Sequence, residues 1–132
     1  NGQRLLLIAL DGEQHGMQAL LLALELLEAG YRLHLLSGPC NLREIPYIIE
    51  QSLNASGTGI AAVICHSNSK PAGLNTEQEL ARAASHARIP FFVSGHWLSI
   101  LPALRDIAGI MVLDGSLRAA VASVGQSLRK NA

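Results

Sequence analysis

The chain has 132 residues, ten basic and ten acidic side chains, and 49% hydrophobic residues against only 4% aromatics. That length specifies one domain with an aliphatic core, and the zero net charge removes the basic face that gripping nucleic acid demands. Glu25 and Glu28 interrupt the most leucine-rich segment, so no uncharged apolar run reaches the ~18 residues of a membrane span. No signal-peptide pattern opens the chain. Cys40 and Cys65 have no CxxC spacing, which fits a reducing cytoplasm better than a disulfide framework.

In chain order, Leu5 to Leu10 is a continuous apolar run, the pattern of a strand covered on both faces. Gly16 to Ala29 reads as a helix stopped by Gly30. Its leucines are expected to be core. Arg32 to Leu36 is a second strand, and a helix from about Leu42 to Asn54 follows, with Pro46 in or near its first turn. "ASGTG" breaks the chain before a third apolar strand, Ile60 to Cys65, where Cys65 is expected as a small core residue. Asn75 or Thr76 caps a helix running to about Ala87. Pro90 to Val93 is the fourth strand, and Ser99 caps a helix to Ala108. Ile110 to Leu113 is the fifth strand. Asp114 or Ser116 opens a final helix whose apolar positions recur every three or four residues.

Five strand–helix units in alternation specify an α/β fold with a parallel sheet and helices on both faces. The expected architecture is a flavodoxin-like, Rossmann-like three-layer sandwich with strand order 2-1-3-4-5. Ligands of such sheets bind outside the carboxyl ends of the strands, near the switch point. The loops after strands 1, 3 and 4 hold Asp11 to His15, His66 to Ser69 and Ser94 to Trp97, so His15, His66 and His96 should gather at one edge. His34 and His86 fall on a strand and a helix and read as ordinary surface or half-buried residues.

Several chemistries can be weighed at that edge. A phosphoryl-accepting receiver domain shares the topology but needs an aspartate at the end of strand 3, where this chain has Cys65-His66. A dinucleotide site needs GxGxxG, and "LDGEQHGM" has glycines at 12 and 16 alone. The Ser/Thr-rich phosphate loop of a flavin site is also missing. Three imidazoles plus water form a known catalytic zinc arrangement, but His15, His66 and His96 carry no local spacing signature.

"GEQH" followed by "ALLLALELLEAGYRLHLLSGP" resembles the start of cobalamin-binding domains. The resemblance is closest to the C-terminal sensory domain of MerR-type, cobalamin-dependent, light-sensing transcriptional regulators. It is specific over residues 12 to 39, and the order of elements agrees over the whole chain. It implies that His15 is the lower axial ligand of cobalt and that Glu13 accepts the hydrogen of the other ring nitrogen, fixing the tautomer. The cofactor would be adenosylcobalamin or another alkylcobalamin. Its nucleotide tail would run between the loops after strands 1, 3 and 4, lined by Gln18, His66, Ser67, Ser94, Gly95 and Trp97. The resemblance further implies a cytoplasmic, non-enzymatic regulatory domain, a fragment of a longer regulator and a possible homo-oligomer. DNA would be contacted only by a separate N-terminal domain, and no membrane is involved.

The chain departs from that family in three places. Gln18 stands where the family has a glycine, His66 where it has a small serine unless Ser67 takes that place by a one-residue slip, and Ser94-Gly95 where it has two glycines. Gln18, His66 and the bulky Trp97 after Ser94-Gly95 favour an alternative, a degenerate relative whose channel is filled and which acts as a protein-interaction or dimerisation module. A further alternative is a corrinoid-carrying subunit of a mutase or methyltransferase. The E-x-H loop and the absence of a substrate domain speak against it.

Overall fold

The computed structural model describes residues 3–9, 16–37, 44, 47–48, 50–51, 60–67, 78, 81–82, 84–85, 89–95, 109–113 and 116–130. Five strands form one parallel sheet: β1 (Arg4–Ala9), β2 (Arg32–Ser37), β3 (Ala62–His66), β4 (Phe91–Ser94) and β5 (Ile110–Leu113). Their order is β2-β1-β3-β4-β5, as the alternating pattern predicts. The helix α1 (Gly16–Glu28) joins β1 to β2, and α2 (Leu117–Lys130) follows β5. The expected helices at 42–54 and 75–87 are α-helical at 47–48, 50–51, 78, 81–82 and 84–85, with a 3-10 turn at residue 44. The helix expected at 99–108 lies outside the described residues.

β1 and β3 are apolar throughout because both of their faces are covered. Leu5, Leu7, Ala62, Ile64, Phe92 and Leu113 face one way and pack against Leu22, Ala23 and Leu26 of α1 and Ala120, Val124 and Leu128 of α2. The alternate residues Leu6, Ile8, Val63, Cys65, Phe91 and Val93 are buried on the opposite face. The edge strands differ from the centre: His34 and Leu35 of β2 are exposed, and Met111 and Val112 of β5 are half-buried.

Helix boundaries follow local chemistry. α1 ends at Gly30, whose φ of 100° is the left-handed conformation that glycine tolerates, and Gly30 donates to the Leu27 carbonyl at 3.0 Å. Ser116 caps α2, with Oγ accepting from the Ala119 amide at 3.1 Å. Of the two expected caps, Asp114 lies outside the described residues. Gly125 leaves room between α2 and Tyr31, which follows α1: a Cβ there would stand 3.3 Å from the Tyr31 hydroxyl.

One expectation fails. The leucines of α1 are not all core. Ala19, Leu22, Ala23 and Leu26 are buried, but Leu20, Leu21, Leu24 and Leu27 are 48, 41, 58 and 50% exposed. A helix lying on a sheet buries one stripe, and four positions of α1 suffice for it. The remaining leucines lie off that stripe, and among the described residues no further layer covers them.

Candidate functional site

The last rung of the sheet sets Ser37, Ala9, His66, Ser94 and Leu113 side by side at the carboxyl edge. His66 and Ser94 share the face of Ile64 and Phe92, the face that carries α1 and α2. Both are strand residues, not loop residues, because β3 and β4 each extend one residue further than their apolar runs. Pairing continues past the rung, with the Ser67 amide donating to the Ser94 carbonyl at 3.0 Å.

His66 is only 6% exposed, and its Nδ1 is hydrogen-bonded to Ser94 Oγ at 2.9 Å. Burial of a polar ring needs such a partner. Ser67 is fully buried. Gly95 has a φ of 105°, and a Cβ there would overlap the Ser67 carbonyl and stand 2.9 Å from its amide nitrogen. Glycine is therefore required at 95 by the chain's own backbone, because the ends of β3 and β4 turn against each other there.

Four of the eight residues expected to line a cofactor, His66, Ser67, Ser94 and Gly95, thus meet at one place. Gln18 lies in the first turn of α1. Glu13, His15 and Trp97 lie outside the described residues, as do His96, Cys40 and His86. His34 is exposed on β2, as its strand position suggests, and Cys65 is buried at the strand end. Among the described residues no group of three His, Cys, Asp or Glu side chains could hold a metal ion. None of their helices is long and apolar enough to cross a membrane.

A nucleotide tail threading between the ends of β3 and β4 needs open space there. The His66 ring and Ser94 hydroxyl are packed together, and Gly95 abuts Ser67. Among the described residues, the His66–Ser94 pair and the Gly95–Ser67 contact stand between these two strand ends. What sequence reasoning missed is that His66 and Ser94 are partners. No residue type signalled it, because which strand-end side chains bond across a rung depends on register.

No family model and no curated protein matches the chain. Among solved structures the chain is similar to a response regulator receiver protein from Sinorhizobium medicae WSM419. The two are 14% identical with a TM-score of 0.66, covering 100% of this chain and 98% of the other. The likeness is one of fold. It places this chain among flavodoxin-like sheets, with Cys65-His66 at the end of β3.

Proposed function

We propose that the chain is a regulatory domain acting through protein contacts, on a flavodoxin-like scaffold whose ligand edge is closed between β3 and β4. The observation that carries this reading is the buried His66–Ser94 pair on the helix-bearing face of the last rung. A side chain packed in that position excludes a ligand as effectively as a missing contact does. The receiver-like fold and the uncovered leucines of α1 support a role in association rather than in turnover.

A second reading rests on the E-x-H spacing of Glu13 and His15. In it the domain is a cobalamin sensor of a transcriptional regulator, with His15 ligating cobalt and Glu13 holding the ring. One experiment separates the two. The chain is titrated with hydroxocobalamin and followed by visible absorbance. The interaction reading expects no spectral change and no retained colour after desalting. A red protein whose spectrum depends on His15, tested with His15→Ala, would overturn it in favour of the sensor.

A further inference from the structure

Among the described residues, the outward face of α1 is a feature with no role assigned so far. Leu20, Leu24 and Leu27 stand four and three residues apart, the spacing of a seam against another helix, and Leu21 borders them. Leu35 of the neighbouring edge strand, 37% exposed, shares the sheet face that carries α1. The seam carries no Lys or Arg, because α1 contains none.

The ends of α1 are unusual. Its first turn has no acidic residue and its last turn no basic one. Glu25 and Glu28 stand instead in the last turn, where the helix dipole disfavours a negative charge. Antiparallel pairing with a second copy of α1 corrects both ends. Setting Leu20 opposite the partner subunit's Leu24 brings Glu28 beside the start of the partner's helix, where the dipole favours an anion. Parallel pairing would instead bring the two acidic ends together.

We propose that this chain self-associates through a two-fold, antiparallel pairing of α1, with Leu20, Leu24 and Leu27 as the seam and Glu28 as the orienting charge. The proposal rests on the interaction reading above and names its partner as a second copy. A seam of three or four half-exposed leucines on one short helix falls below the ~1,200 Å² where standard stable interfaces begin. The dimer is accordingly reversible and concentration-dependent. A net charge of zero leaves no overall repulsion between copies.

Sedimentation velocity of the whole chain from about 10 µM to about 1 mM tests this. The expected result is a monomer–dimer equilibrium within that range, weakened at least about tenfold, or roughly 1.4 kcal/mol, by Leu24→Glu and by Glu28→Lys. Both positions are exposed, and Glu28→Lys improves the helix's own dipole balance, so unchanged far-ultraviolet circular dichroism is expected. A native chain that stays monomeric at the highest concentration overturns the proposal. So does a dimer indifferent to Leu24→Glu. A dimer strengthened by Glu28→Lys overturns the antiparallel orientation. A cobalamin-dependent spectrum would instead sink the interaction reading, without altering what sedimentation says of α1.

Discussion

His66 shows how one side chain decides what a sheet edge can do. A histidine on a buried rung must satisfy its ring nitrogens inside the protein, and Ser94 at the paired position meets Nδ1 at 2.9 Å. Replacing either partner leaves the other's polar atom buried without this bond. We expect His66→Ala to cost about 2 kcal/mol and Ser94→Ala about 1 kcal/mol, with a double-mutant coupling of about 1 kcal/mol. Urea unfolding of the four proteins measures it, and additive costs would show that the pair is not coupled. The convergence of His66, Ser67, Ser94 and Gly95 was legible in the sequence from topology alone, because aligned strands end together. Their mutual contacts were not legible. Whether a histidine at a strand end points into a ligand gap or bonds across the rung depends on register, which residue types do not encode. The glycine at 95 was likewise visible, but its reason, close backbone approach at positive φ, needed coordinates.

At the level of elements, the strands were legible because parallel strands covered on both faces read as unbroken apolar runs. Their ends shifted by a residue or two: β3 runs Ala62–His66, not from Ile60 to Cys65, because strand pairing carries on beyond the last apolar residue. α1 was the hardest element to read. Leucine on every side of a helix erases the periodicity that separates a buried stripe from an outward one. The structure restores the distinction, and mutation can test it. Leu26→Ala, in the core against the sheet, should cost about 2–5 kcal/mol through the cavity it leaves. Leu24→Ala, two residues away and 58% exposed, should change monomer stability by no more than about 0.5 kcal/mol. Chemical denaturation at low protein concentration reads both, and equal losses would mean that α1 is covered on both sides.

For the molecule as a whole, the order β2-β1-β3-β4-β5 fixes what depends on what. β1 lies between β2 and β3, so the first strand of the chain is completed only by a strand that begins at Ala62. The segment 1–59 contains β1, α1 and β2 but leaves one edge of β1 unpaired. We predict that this fragment shows no cooperative thermal transition, whereas the full chain does. A sigmoidal melt of the fragment by circular dichroism would show that the sheet does not need β3. The same dependence has a consequence on the ribosome. For as long as synthesis takes to deliver β3, the nascent chain carries an open strand edge beside a helix rich in bare leucine, both of them surfaces that chaperones and stray strands bind. The interval between residues 37 and 62 therefore sets the length of this chain's most vulnerable moment, and a slower stretch of translation there would prolong it.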